Sequence, residues 1–150
     1  MQSARLTELL ADLWRALDPE RDILFAYLFG SMAKGHTGAS SDVDVAVSLR
    51  NGEGVAARVD RALALEGSLE ETLRRPVQVV VLDDAPLDLR HNVLRHGPII
   101  LTRDEPARHR VYVDHTRQYY DMEHARRIFA RYMNRRIREA TFGGGTGHGP

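Results

Sequence analysis

Cysteine is absent from the 150 residues. Its absence excludes disulfides, thiolate nucleophiles and cysteine-based zinc sites. No apolar run approaches the ~20 residues that a spanning helix needs. The opening stretch MQSARLTELLADLW carries charges at helical spacing and lacks the apolar centre of a signal peptide. A cytoplasmic protein without membrane contact is the expectation. An excess of charge is missing too, since 21 basic residues balance 21 acidic ones. Composition therefore gives no global case for an acidic partner, and direct nucleic-acid binding is not expected. Lysine is almost absent: of the 21 basic residues, Lys34 is the single one that is not arginine.

What remains is ordinary for one globular domain, with 43% hydrophobic and 28% charged residues. Leu6, Leu9, Leu10, Leu13, Trp14 and Leu17 form one face of a helix over 3–17, ended by Asp18-Pro19. Strands are predicted from Ile23 to Phe29, from Asp42 to Leu49 and from Val77 to Leu82, with a short fourth from Ile99 to Leu101. A helix over 55–74 separates the second and third strands. Another carries Leu87, Leu89, Val93 and Leu94, with Asp83 or Asp84 as its cap and Pro86 in its first turn. A last helix runs from about Pro106 to about residue 140, and the Gly-rich end, 143–150, is expected to be flexible. This order indicates an α/β (α+β) fold with a small mixed sheet, flanked by helices that can cover one face. The whole is read as one domain over 1–142, its last helix a C-terminal extension.

The chemistry concentrates in LFGSMAKGHTGASSDVDVAVSL, Leu28 to Leu49. Asp42 and Asp44 are one residue apart in a strand, so they share a face, with α-carbons about 6.6 Å apart. Carboxylates so placed can converge on a divalent ion, and Mg²⁺ is typically held by one or two carboxylates plus substrate phosphates. On its own such a pair is commonly the wet face of a strand. The preceding loop changes the reading. Gly30 lets the backbone approach a phosphate closely, and Ser31 adds a hydroxyl. Residues after it are expected to open a short helix whose N-terminus favours an anion, and Lys34 supplies a cation. Phosphate donors beside metal ligands are what metal-assisted phosphoryl or nucleotidyl transfer requires.

Gly30-Ser31, ten residues, then Asp42-Val43-Asp44 resembles the GSx10DxD signature of the polymerase-β-like nucleotidyltransferase superfamily. The chain looks most like the minimal nucleotidyltransferase (MNT) branch, and the likeness continues through RPVQVVVLDDAPLDLRHNVLRHGPIIL, covering roughly 20–105. That resemblance implies transfer of a nucleoside monophosphate from MgATP. It also implies an antitoxin that adenylylates a tyrosine of a HEPN ribonuclease toxin and binds the toxin in a hetero-oligomer. Gly30 and Ser31, helped by Lys34, would hold the triphosphate; Asp42 and Asp44 would hold Mg²⁺.

One residue departs from the pattern. The family usually has a third carboxylate on the third strand, near the position of Gln78. A glutamine can offer a carbonyl oxygen to a metal but cannot act as a general base. Asp83, redirected by a turn, is one substitute; Glu53 and Glu66 are others without a spacing argument. Two further readings follow: an impaired MNT-fold binding module that neutralises a toxin by complex formation, and a small-molecule nucleotidyltransferase.

Other signals are set aside. His36 reads as a solvated loop residue, and His91 and His96 lack carboxylates at metal-site spacing. Arg110 and His115 match an Arg-x4-His pair by chance in an arginine-rich chain. The arginines between Arg117 and Arg138 read as a solvated face or a partner surface, and Tyr119, Met122, Phe129 and Met133 as core or subunit interface.

Overall fold

A computed structural model describes residues 2–35, 42–50 and 53–143. His36, the Asn51-Gly52 turn and the tail beyond 143 lie outside the described residues. The chain forms two units, Met1–His115 and Thr116–Pro150. No described helix is long and apolar enough to cross a membrane.

Helix α1, Gln2–Leu17, buries Leu9, Leu13 and Leu17 at successive i, i+4 positions. Strands β1, Ile23–Phe29, and β2, Val43–Leu49, follow. Helix α2, Val55–Leu73, buries Ala62, Leu65 and Leu69 and stops at Arg74, which adopts a left-handed conformation with φ 55°. Strand β3, Val77–Val81, runs into a 3₁₀ turn, Leu82–Asp84. Helix α3, Leu87–His96, strand β4, Ile99–Thr102, and helix α4, Glu105–Gly143, complete the order. The predicted cap of α3 is corrected here. Asp83 and Asp84 belong to the 3₁₀ turn, Pro86 is the residue before the helix, and no side chain caps it.

The sheet has the order β3-β2-β1-β4, with β2 and β3 parallel and the other pairs antiparallel. Helices cover both of its faces, not one. Val43, Val45 and Val47 join Val77, Val79 and Val81 in a core with Leu13, Leu17, Leu65 and Leu69 of α1 and α2. On the other face Phe25, Tyr27 and Ala46 pack with Val93 and Leu94 of α3. The one-face expectation failed because Ala46, which shares its face of β2 with the two aspartates, is too small to signal burial there. An irregularity in register between Ile23 and Phe25 lets β1 contribute Ile23 to the first core and Phe25 to the second.

Strand β3 lies at the sheet edge, where outward N–H groups need partners. Two receive them from α2: the Val77 N–H donates to Glu70 Oε1 at 3.1 Å and the Val79 N–H to Glu66 Oε1 at 2.9 Å. Four residues along a helix rise about 6 Å and two along a strand about 6.6 Å, so the periods match.

Where α4 begins, His115 is buried, 3% exposed, and its Nε2 lies 3.2 Å from His91 Nδ1. Burial first, then His91 and Arg90, push the His115 pKa down. In the second unit, Met122, Phe129 and Met133 are exposed. They are not core of this chain, contrary to one of the two roles expected of them.

Replacing Glu66 or Glu70 by Ala is expected to cost about 1 kcal/mol each, because a half-buried donor loses its acceptor; urea unfolding measures this. A lowered histidine pKa means the unfolded chain binds more protons below about pH 6.5, so stability should fall as pH drops through that value. His115→Gln should flatten this slope in unfolding midpoints compared at pH 7.5 and 5.5.

Candidate active site

Backbone pairing assembles the site. Phe29 of β1 is paired with Asp44, and Asp44 with Gln78 of β3, so the three stand in a row across adjacent strands. Their side chains lie on the face that packs against α3, because alternation sends Val43, Val45, Val77 and Val79 to the other core. Asp42 immediately precedes β2 and is exposed, whereas Asp44 is half-buried.

Strand β1 ends at Phe29, and Gly30 turns the chain with φ +78°. A Cβ at Gly30 would fall 2.3 Å from Asp44 Oδ2. The carboxylate thus occupies the space that any side chain at 30 would need. Two turn hydrogen bonds follow, from Lys34 N–H to the Ser31 carbonyl at 3.1 Å and from Gly35 N–H to the Met32 carbonyl at 3.2 Å. Met32 is buried and anchors this turn to the core, leaving Ser31 and Lys34 exposed. The expected short helix is a turn here: over the described residues 31–35 no regular helix forms.

The last turn of α3 supplies a wall. Asn92, His96 and Gly97 line a cleft together with Phe29, Gly30 and Lys34. A Cβ at Gly97 would fall 2.7 Å from the Val93 carbonyl and 2.8 Å from the Leu28 carbonyl, so glycine lets this turn press on the end of β1. The Leu28 N–H donates to the Pro98 carbonyl at 2.9 Å and pins the contact. Sequence reading missed Asn92 and set His96 aside; no local pattern marks a contact between residues so far apart in the chain.

The Asp44 pKa is raised, first by burial and then by the neighbouring charge of Asp42. Several carboxylates elsewhere in the unit are matched by arginine. Arg61 donates to Asp22 at 2.7 and 2.8 Å and to Glu20 at 2.7 Å, and Arg58 to Asp84 at 2.7 and 2.8 Å. Among the described residues no arginine or lysine forms an ion pair with Asp42 or Asp44. Two unneutralised carboxylates, beside a glutamine whose amide oxygen can coordinate, offer oxygen donors only. That donor set fits Mg²⁺.

The proposed substitutes for a third carboxylate fail on position. Because β2 and β3 are parallel, Asp42, Asp44 and Gln78 lie at the strands' N-terminal ends. Asp83 follows the opposite end of β3, and Glu53 lines a separate cleft there with Asp22, Arg58 and Arg61. Glu66 is engaged by the Val79 N–H. No group of three His, Cys, Asp or Glu placed to hold a metal occurs among the described residues.

Comparison with known proteins agrees with the fold. A family model described as Polymerase beta, Nucleotidyltransferase matches residues 12–106. A chain from a crystal structure of a toxin-antitoxin with AMP-PNP is 21% identical; the alignment covers 83% of this chain and 97% of that one, with a TM-score of 0.67. A chain from the toxin-antitoxin MntA-HepT is 20% identical, with 83% and 95% covered and a TM-score of 0.60. One from a complex of tri-AMPylated Shewanella oneidensis HEPN toxin with MNT antitoxin is 20% identical, with 89% and 98% covered and a TM-score of 0.58. At these identities the likeness establishes the fold. No curated protein matches.

Gly30→Ala should lose about 1–2 kcal/mol from the left-handed backbone alone and displace Asp44 as well, seen as a lowered unfolding midpoint together with weaker Mn²⁺ binding. A raised Asp44 pKa means that ionising it costs stability as pH rises above 3.8. Asp44→Asn should therefore raise the melting temperature of the metal-free protein at pH 7. In calorimetry, Mn²⁺ affinity should fall as pH drops through the raised Asp44 value, since the proton and the cation compete for one carboxylate.

Proposed function

The chain belongs to the polymerase beta nucleotidyltransferase family, and from that premise we propose that it is an MNT-type antitoxin. It transfers AMP from ATP to a hydroxyl of a HEPN toxin, a tyrosine by the sequence resemblance, and holds that toxin in a complex. The observation that carries this reading is the seating of the Asp44 carboxylate on Gly30, with Gln78 paired beside it and Asp42 two residues before. It puts the turn to which we assign phosphate binding beside the carboxylates to which we assign Mg²⁺. The similar folds found in a toxin-antitoxin with AMP-PNP and in a complex with an AMPylated HEPN toxin support the same partner and donor.

In this reading Gly30, Ser31 and Lys34 hold the triphosphate, and Asp42 and Asp44 hold Mg²⁺. When bound, the cation neutralises charge on the phosphates and on departing pyrophosphate. The acceptor oxygen forms a bond to the α-phosphorus, the bond to the β-phosphate's bridging oxygen breaks, and pyrophosphate leaves with that electron pair. The hydroxyl proton passes to solvent, because the neutral amide at 78 cannot take it. The protein's part is placement of the donor and stabilisation of charge.

Gln78 favours a second reading, in which the same fold neutralises its toxin by binding alone. The two separate in one experiment. The protein is incubated with its toxin, Mg²⁺ and ATP, and the toxin is weighed by intact mass spectrometry. Transfer predicts an added AMP mass in wild type that disappears in Asp42→Asn/Asp44→Asn. An unmodified toxin in a stable complex would reject transfer, and activity gained in Gln78→Asp would then identify the amide as its cause.

A further inference from the structure

We propose that the last turn of α3 is the phosphate-end wall of the nucleotide site, with Asn92 and His96 joining Lys34 to hold the terminal phosphates of a nucleoside triphosphate. The inference rests on the nucleotide-transfer reading of the same cleft and adds two residues to it. Asn92 and His96 are four apart on α3 and so share one face. That face lines the cleft over Phe29 and Gly30, with Lys34 also in the lining.

The polar groups here differ in kind from those next door. Lys34 offers an ammonium, Asn92 an amide and His96 an imidazole, all able to donate hydrogen bonds, and no carboxylate occurs among the described lining residues. Donors without acidic neighbours suit an anion. Beyond Gly30 lie Asp44, which touches it, and Asp42, which suit a cation. One site is thus divided at Gly30 into an anion side and a cation side, the division that a metal-bound triphosphate needs. Size agrees. The cleft offers about 40 Å³, far below the roughly 300–1,000 Å³ of pockets that take a whole ligand. It therefore fits one end of a nucleotide. Glycine at 97 lets the wall lie close to the Leu28 carbonyl, and the Leu28 N–H donating to the Pro98 carbonyl at 2.9 Å ties it to the end of β1.

The test is competition of AMP-PNP and of AMP against a fluorescent adenine nucleotide, with Mg²⁺, on the full chain. His96→Ala and Asn92→Ala should each reduce the preference for AMP-PNP over AMP by about tenfold, the loss of one charge-assisted contact. His96→Arg should restore it, which a merely unfolded variant would not do. Both positions are exposed, and unchanged melting temperatures serve as the control. An unchanged preference in both Ala variants overturns the proposal. So does equal weakening of AMP and AMP-PNP, which would place the contact at the base or ribose. Should wild type bind neither nucleotide, the nucleotide-transfer reading itself falls; wild-type binding with insensitive variants removes this inference alone.

Discussion

The carboxylate of Asp44 lies where a side chain at residue 30 would be. This contact closes only if position 30 is glycine, if the backbone there takes a positive φ, and if β1 and β2 pair in the register that sets Phe29 against Asp44. Each condition constrains a different part of the chain. The register needs both strands to send alternate side chains into two separate cores, the positive φ needs the turn anchored by Met32, and the close approach of α3 to the end of β1 needs glycine at 97. The site is the meeting point of these constraints rather than a loop added to a finished fold.

Arginine-paired carboxylates and the candidate site lie at opposite ends of the sheet. At the end where β2 and β3 finish, Asp22, Glu20 and Asp84 are paired with Arg61 and Arg58, and Arg103 donates to the Ile23 carbonyl at 3.0 Å. Burial of carboxylates there is compensated by neighbouring cations. Where β2 and β3 begin, Asp42 and Asp44 have no such partner among the described residues, and burial raises the Asp44 pKa. A folded chain retains such an arrangement at a cost in stability, and a bound cation removes that cost.

Parallel pairing of β2 and β3 matters as much as the residues it pairs. It sets Gln78 next to Asp44 and carries Asp83 past the far end of β3, whose Val81 is already about 10 Å from Gln78 at ~3.3 Å per residue. The same edge strand is closed by Glu66 and Glu70, of which sequence reading named only Glu66, as a spare ligand. Their role depends on a helix laid alongside an edge, which appears in no local pattern. The same holds for His91 and His115, which look unrelated along the chain and lie 3.2 Å apart in the fold.

Local periodicity and local chemistry were legible without a structure. Ile23–Phe29 is recovered as read, and the alternation of Asp44 against Val43 and Val45 follows from the two-residue period of a strand. The Gly30-Ser31 and Asp42-Val43-Asp44 spacing places both halves of the site on one connection, because that connection joins neighbouring strands. What the tertiary structure alone decided is which distant residues complete the cleft and which acids stand apart from it. Asn92 and His96 reach it because α3 packs over β1; Asp83 does not because β3 runs parallel to β2. Periodicity determines which face of an element is apolar. Only packing determines what that face, and the polar residues at its ends, come to meet.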